Sequence, residues 1–289
     1  MTTDLTKPAN FSISGFVKLT RFWNLVIIAL AQYFTAIFLL GGFQIVYSKQ
    51  LFLLSLSTIL IAAAGYIIND YYDVKIDLIN KPKRVVIGRV LKRRVAMILH
   101  TLLNFIGIGL GLFLSIEIAL LNFVSALLLW AYSNQFKRMV LVGNLSVAFL
   151  TGLSIYIVAF HFDPYNSYII AYSLFAFFVT LIREIIKDLE DLKGDSTFGC
   201  RTLPVAYGLR TTKLVIYLAT VLLLISLSML FYFFIDEYIT IVSLSLIIPF
   251  GFLFYKLSKA DTVKEFNYLS NYCKFVMLAG ITSMILFHS

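Results

Sequence analysis

Charged residues are scarce in this chain of 289 amino acids, at 13% of positions, whereas hydrophobic residues make up 60%. An ordinary soluble domain contains about 25% charged residues, most of them at its surface. Cysteine is nearly absent, with two residues. Cys200 and Cys273 show no CxxC or Cys/His spacing, so the sequence predicts neither a disulfide framework nor a zinc site. The composition predicts a protein whose natural solvent is a membrane.

Long apolar runs make up most of the chain. A helix needs about 20 apolar residues to cross roughly 30 Å of hydrocarbon, and nine runs approach or exceed that length. No Pro/Gly/Ser-rich linker separates them, which favours one domain over residues 1–289. We therefore predict an all-α membrane protein with nine transmembrane helices in one bundle. The predicted spans are Phe22–Gly41, Leu51–Val74, Val95–Leu114, Ile116–Tyr132, Leu141–Phe160, Tyr168–Ile186, Leu214–Ile235, Ile239–Leu257 and Tyr268–Phe287.

Basic residues are concentrated in alternate loops, of which 75–94 and 187–213 are the longest. The positive-inside rule then predicts a cytoplasmic N-terminus and an outer C-terminus, in a multi-pass protein of a prokaryotic inner membrane. Residues 1–20 fit a short interfacial segment, although an unstructured tail fits them nearly as well. The net charge of +9 follows from this topology, and no nucleic-acid-binding motif accompanies it. The sequence indicates neither a nucleic acid nor an obligatory protein partner.

Acidic residues are few, yet eight of the fifteen lie in two short segments. In the first segment, Asp70, Asp73 and Asp77 fall within roughly 60° of one another on a helix. Asn69 lies at the edge of the same arc. The spacing predicts one polar face at the cytoplasmic end of the second span.

The second acidic segment follows the sixth span. Glu184, Asp188, Asp191 and Asp195 again fall within roughly 60° on a helix, and Glu190 points to the opposite side. The two segments therefore present similar acidic faces at cytoplasmic helix ends.

Magnesium suits these faces, because stacked carboxylates repel one another near a membrane and need cations. Mg²⁺ is usually held by a few carboxylates together with substrate phosphates. Lys and Arg near both clusters would complement a diphosphate. Each feature taken alone also has a simpler explanation. A single acidic cluster could be a solvated helix end, and each basic residue could follow the positive-inside rule. The basic residues are Lys81, Lys83, Arg84, Arg89, Lys92, Lys187, Lys193 and Arg201.

The first acidic segment also forms a recognisable motif. Residues 69–77, NDYYDVKID, match the NDxxDxxxD motif of the UbiA superfamily of intramembrane prenyltransferases. Residues 188–195, DLEDLKGD, resemble the second aspartate motif of that family, and the order, separation and nine-span layout agree. One loop departs from the pattern, because Arg84–Arg89 reads RVVIGR and lacks the prolines of the family's RPIPSGR-like stretch.

The resemblance implies Mg²⁺-dependent transfer of a polyprenyl group from a prenyl diphosphate to a lipophilic acceptor, within the lipid bilayer and facing the cytoplasm. The implied metal ligands are Asn69, Asp70, Asp73, Asp77, Asp188, Asp191 and Asp195. The implied catalytic residues are Asp73, Asp77, Asp191 and Asp195, with Tyr132 and Ser133 beside the reacting centre. The residues implied to bind the donor diphosphate or the acceptor head group are Arg21, Asn24, Lys83, Arg84, Lys92, Lys137, Arg138 and Lys187.

Three classes of acceptor fit the resemblance. Residues 183–208 look most like the geranylgeranylglyceryl phosphate geranylgeranyltransferase branch, which favours a glycerol-type lipid hydroxyl. An aromatic acceptor such as a hydroxybenzoate, naphthoate or homogentisate is the alternative, and haem farnesylation is the third. A transporter or channel is disfavoured, because its acids would line a midplane pathway rather than lie at helix ends beside basic loops.

Overall fold

The computed structural model describes residues 13–80, 82, 85–234 and 245–287. The regular secondary structure of these residues is helical. Short π or 3₁₀ segments occur at Ala36–Gly41, Phe43–Tyr47, Phe136–Arg138 and Met284–Phe287. The α-helices are α1 (Ile13–Leu19), α2 (Phe22–Thr35), α3 (Lys49–Asn80), α4 (Arg93–Leu112), α5 (Ile116–Asn134), α6 (Val142–Phe162), α7 (Ser167–Thr197), α8 (Leu203–Phe234), α9 (Ile247–Lys259) and α10 (Val263–Ser283).

Within the described ranges, eight helical segments are long and apolar enough to cross a membrane. They correspond to eight of the nine predicted spans. The remaining span, Ile239–Leu257, begins outside the described residues, and its described part lies in the 13-residue helix α9. The ninth span and the orientation of the termini therefore stay predictions. The first twelve residues of the predicted interfacial segment also lie outside the described ranges, and α1 occupies part of its remainder.

Two helices extend beyond the apolar runs that predicted them. α3 continues past Val74 to Asn80, and α7 continues past Ile186 to Thr197. The acidic segments predicted to be helical through Asp77 and Asp195 are helical, and the loops predicted to be cytoplasmic begin only after Asn80 and Thr197. Hydropathy detects only the part of a helix that suits hydrocarbon, and neither extension contains a proline to end the helix earlier.

Short polar side chains begin three of the helices. The Ser115 side chain accepts a hydrogen bond from the backbone N–H of Ile118 at the start of α5, and Asn166 accepts one from Ile169 at the start of α7. Thr262 and Glu265 form a capping box before α10. Each cap satisfies backbone donors that have no partner within the helix.

The chain divides into two compact units, each with its own apolar core. Unit 1 comprises Met1–Ala29 and Phe52–Phe136, and unit 2 comprises Leu30–Leu51 and Lys137–Ser289. A buried cluster in unit 1 joins the end of α1 to α3, to the loop after α3 and to α4. Its members are Leu19, Ile67, Val86, Ile87, Leu91 and Ala96.

α7 is the central helix of unit 2 and packs against α6, α8 and α10. The approach to α6 is close at Gly152, where an added Cβ would lie 2.9 Å from the carbonyl oxygen of Ser173. Small residues permit such contacts between membrane helices. This packing fixes the side-chain directions of the second acidic cluster.

α8 contains a kink at Gly208. The residue has φ 77° and ψ 174°, a conformation that glycine adopts far more readily than other residues. The kink separates the short turn Leu203–Tyr207 from the long apolar part of the helix.

Large apolar side chains are exposed on several helices, as expected where lipid covers the surface. Phe105 of α4 is 73% exposed, and Phe113, which follows the helix, is 82% exposed. Trp23 of α2 is 76% exposed, and Trp130 of α5 is 45% exposed. Exposed apolar surface on this scale is rare in soluble monomers, and it supports a membrane environment.

Candidate active site

The first acidic cluster lies on the last turns of α3. This helix is continuous through the motif, so Asn69, Asp70, Asp73 and Asp77 project from one side of it. All four are partly buried, whereas Ile76, between the last two acids in sequence, is buried. α3 therefore positions the motif as the helical spacing predicted.

Asn69 has an unsatisfied oxygen. Its Oδ1 atom is buried and has no hydrogen-bond partner. Leaving such an acceptor unpaired costs about 1–3 kcal/mol, a cost that a bound ligand would remove. An amide oxygen beside carboxylates is a suitable donor for a hard cation.

Asp70 has a specific partner in unit 1. Nη2 of Arg21 donates to Oδ1 of Asp70 over 3.0 Å, and the guanidinium carbon lies 5.0 Å from the centroid of the Tyr66 ring. Burial lowers the pKa of Arg21, but Asp70 and the nearby Tyr66 and Tyr132 raise it by more. The guanidinium is therefore charged, and the structure brings together Arg21, Asp70 and Tyr132 from the predicted set.

The backbone at Arg21 is unusual, with φ 50° in the turn between α1 and α2. Non-glycine residues rarely occupy this region, and the conformation persists only where the surroundings hold it. Leu19, two residues earlier, is fully buried in the unit 1 core. Asn24 lies one turn later, partly buried, and its N–H donates to the Arg21 carbonyl.

The loop after α3 differs from the family pattern but is well packed. Val86 and Ile87, which stand where the family has a proline-containing stretch, are buried in the unit 1 core. Nη1 of Arg89 donates to the Pro82 carbonyl over 2.9 Å. Lys92 follows as the exposed N-cap of α4.

The second acidic cluster lies on the last turns of α7. Nδ2 of Asn144, in α6, donates to Oδ2 of Asp188 over 2.8 Å, whereas Oε1 of Glu190 accepts from Nδ2 of Asn267, in α10. The two acids contact different helices although they are two residues apart. This agrees with the predicted separation of Glu190 from the acidic face, which Asp191 and Asp195 share with Asp188 by helical phase. Sequence reasoning missed Asn144, because one asparagine in an apolar run has no distinguishing pattern.

Glu184 is held within α7 by two cations. Nη1 of Arg183 lies 2.6 Å from Oε1 of Glu184, and Nζ of Lys187 lies 2.8 Å from Oε2. Lys187 was predicted to bind the diphosphate or head group. In the structure it pairs with Glu184, so contact with a phosphate would require it to share or exchange this partner.

The remaining predicted residues lie at the ends of helices and in loops. Tyr132 is partly buried near the end of α5, and Ser133 is fully buried with its hydroxyl donating to the Leu129 carbonyl. Lys137 is partly buried and Arg138 exposed in the 3₁₀ turn that follows. Lys83 and Arg84 lie outside the described residues.

A family model for UbiA prenyltransferases matches residues 25–275. The chain belongs to the UbiA prenyltransferase family. Digeranylgeranylglyceryl phosphate synthase from Saccharolobus solfataricus is 34% identical over 277 residues, covering 95% of this chain and 97% of the relative. The enzyme of the same name from Methanosphaera stadtmanae is 33% identical, covering 86% and 92%. The chain is thus a membrane prenyltransferase.

Two solved structures share the UbiA fold. One, of digeranylgeranylglyceryl phosphate synthase in membranes, matches with a TM-score of 0.75 at 23% identity and covers 95% of this chain and 97% of its own. The other, a UbiA homologue from Archaeoglobus fulgidus bound to GPP and Mg²⁺, matches with a TM-score of 0.65 at 15% identity and covers 94% and 99%.

The donor set of this UbiA protein fits magnesium. Within the described ranges, no three His, Cys, Asp or Glu side chains converge as a ready-made metal cage. Mg²⁺ rarely uses all-protein cages and takes one or two carboxylates with substrate phosphates. The unpaired Oδ1 of Asn69 beside Asp73 and Asp77 supplies oxygens of the required kind.

Proposed function

We propose that this enzyme transfers a polyprenyl group from a prenyl diphosphate to the hydroxyl of a glycerol-type lipid, with Mg²⁺ as its cofactor. The observation that supports this acceptor is the 34% identity with a digeranylgeranylglyceryl phosphate synthase over 95% of the chain. The reaction would take place in the membrane, with the acidic helix ends on the cytoplasmic side.

We assign metal binding to two groups of residues: Asn69, Asp73 and Asp77 on α3, and Asp188, Asp191 and Asp195 on α7. Bound Mg²⁺ would neutralise charge on the leaving diphosphate. The carboxylates orient the ion, and Arg21 donates to diphosphate oxygens. These groups stabilise charge that develops as the donor reacts.

The chemical step exchanges one C–O bond for another. The bond between C1 of the prenyl chain and the diphosphate oxygen breaks, and its electron pair leaves with the diphosphate. The acceptor hydroxyl oxygen bonds to C1, and its proton passes to the released diphosphate. Apolar spans exclude water, which would otherwise capture the allylic cation.

Product identity tests this proposal. Purified full-length protein in lipid nanodiscs would be incubated with radiolabelled geranylgeranyl diphosphate, Mg²⁺ and either geranylgeranylglyceryl phosphate or 4-hydroxybenzoate. We expect label in an ether lipid with two prenyl chains and none in the aromatic acid. Transfer only to 4-hydroxybenzoate, or to neither acceptor, would overturn the proposal.

A further inference from the structure

Asp70 forms an ion pair with Arg21. We propose that Asp70 is a positioning residue that holds the Arg21 guanidinium for the donor diphosphate, and that it is not a metal ligand. This inference rests on the proposed function and assigns distinct roles within one acidic face. Asn69, Asp73 and Asp77 then provide the metal ligands of α3.

Two contacts hold the Arg21 side chain, and a buried neighbour holds the turn before it. Asp70 accepts from its Nη2 atom over 3.0 Å, and Tyr66 lies under the guanidinium plane. Leu19 anchors the preceding turn in the apolar core. The backbone at Arg21 has φ 50°, a conformation that persists only where the surroundings hold it.

The pairing also opposes a metal-ligand role for Asp70. Its side chain is 16% exposed and that of Arg21 is 37% exposed, so the carboxylate lies deeper than the cation it holds. A divalent ion on Asp70 would lie next to a guanidinium of the same sign. Asn69 presents the opposite situation, because its Oδ1 is buried without a partner.

Arg21 retains donors for a substrate while it pairs with Asp70. A guanidinium has five N–H donors in a planar fork, and such a fork binds phosphate oxygens in a bidentate manner. Because Asp70 binds one edge of the guanidinium, the opposite edge of the guanidinium is held in a fixed direction. Preorganisation of this kind lowers the cost of ordering a long side chain when the ligand binds.

A double-mutant cycle on ligand binding tests the assignment. The full chain in detergent would be titrated with inorganic pyrophosphate at saturating Mn²⁺, and electron paramagnetic resonance would count the bound Mn²⁺ ions. The variants are Arg21→Ala, Asp70→Ala, Asp73→Ala and the two double variants that contain Arg21→Ala. Asp261→Asn is the control, because it weakens an exposed ion pair with Lys213 outside the site.

We expect Arg21→Ala and Asp70→Ala each to weaken pyrophosphate binding about tenfold, as loss of a hydrogen bond to a charged group does. The double variant should bind no more weakly than Arg21→Ala alone, since Asp70 acts only through Arg21. The Mn²⁺ count should be unchanged in Asp70→Ala and reduced in Asp73→Ala. The fold losses of pyrophosphate affinity caused by Asp73→Ala and Arg21→Ala should multiply in the double variant.

Other results would overturn the assignment. Multiplicative losses for Arg21→Ala and Asp70→Ala, or a lower Mn²⁺ count in Asp70→Ala, would make Asp70 a ligand. If Asp70→Ala does not fold, Asp70→Asn replaces it. We then expect a smaller loss of pyrophosphate affinity, which should again disappear when Arg21 is alanine. Absence of pyrophosphate binding by the wild-type protein would contradict the proposed function itself, whereas normal wild-type binding with multiplicative losses would contradict only the role of Asp70.

Discussion

The side-chain amide of Asn144 donates to Oδ2 of Asp188 over 2.8 Å. This contact joins α6 to the acidic end of α7 across the interior of unit 2. Asn144 is 7% exposed, so water does not readily replace the amide. The bond therefore fixes the rotamer of the first acid in the second motif.

Loss of the Asn144 side-chain amide should lower the activity of the enzyme without unfolding it. We expect Asn144→Ala to lower kcat/KM for the prenyl diphosphate about tenfold, because the hydrogen bond that orients Asp188 is lost. The Mg²⁺ concentration for half-maximal activity should rise. Ser146→Ala is the matched control, since this buried hydroxyl donates only to the Val142 carbonyl within α6. Equal activities of the two variants would show that Asp188 needs no support from α6.

The direction of the second acidic face can be tested with neighbouring acids. Asp191→Asn should lower prenyl transfer by orders of magnitude, and Asp73→Asn should do the same for the first face, because each removes charge from a proposed metal ligand. Glu190→Gln should have a mild effect, since Gln keeps an oxygen acceptor for Asn267. Turnover would be measured at saturating Mg²⁺. Comparable losses for Glu190→Gln and Asp191→Asn would mean that the proposed helical face is wrong.

Metal removal should reversibly abolish activity. After treatment with excess chelator, we expect transfer to disappear, because the acidic faces would repel a diphosphate without cations. Added Mg²⁺ should restore it, while added Na⁺ at equal ionic strength should not. Full activity in excess chelator would contradict the magnesium mechanism.

Two glycine substitutions, one at the kink in α8 and one in α4, should have opposite effects on the free energy of unfolding. Gly208→Ala should lower the free energy of unfolding by about 1–3 kcal/mol, because alanine is strained at φ 77°. Gly109→Ala, in the last turn of α4, should raise it by about 0.5 kcal/mol, since alanine is the better helix former. In both cases an added Cβ meets no atom within 4 Å. Unfolding by sodium dodecyl sulfate in mixed micelles would measure both, and a stabilised Gly208→Ala would refute the proposed strain.

Much of this architecture was predictable because hydrocarbon imposes a simple length requirement. Eight predicted spans have counterparts in the described residues, and the helical period placed Glu190 apart from Asp188. Helix ends were less predictable. The charged extensions of α3 and α7 remain helical through backbone hydrogen bonding, which an apolar window does not detect.

The partners of the site residues were not predictable from the sequence alone. Asp70 and Asp188 look equivalent to their neighbours in the sequence, yet Arg21 and Asn144 hold them through contacts across long sequence separations. Lys187 resembled a phosphate ligand, but a glutamate on its own helix neutralises it. Pairing of this kind depends on which helices become neighbours and not on any local pattern.

The positions of the two tryptophans have a practical consequence. Trp23 lies two residues after Arg21, and Trp130 lies two residues before Tyr132, and the chain contains no other tryptophan. Both indoles belong to unit 1, where the guanidinium and the tyrosine interact. Intrinsic fluorescence excited at the indole band therefore provides a label-free optical signal from unit 1, without an added fluorophore.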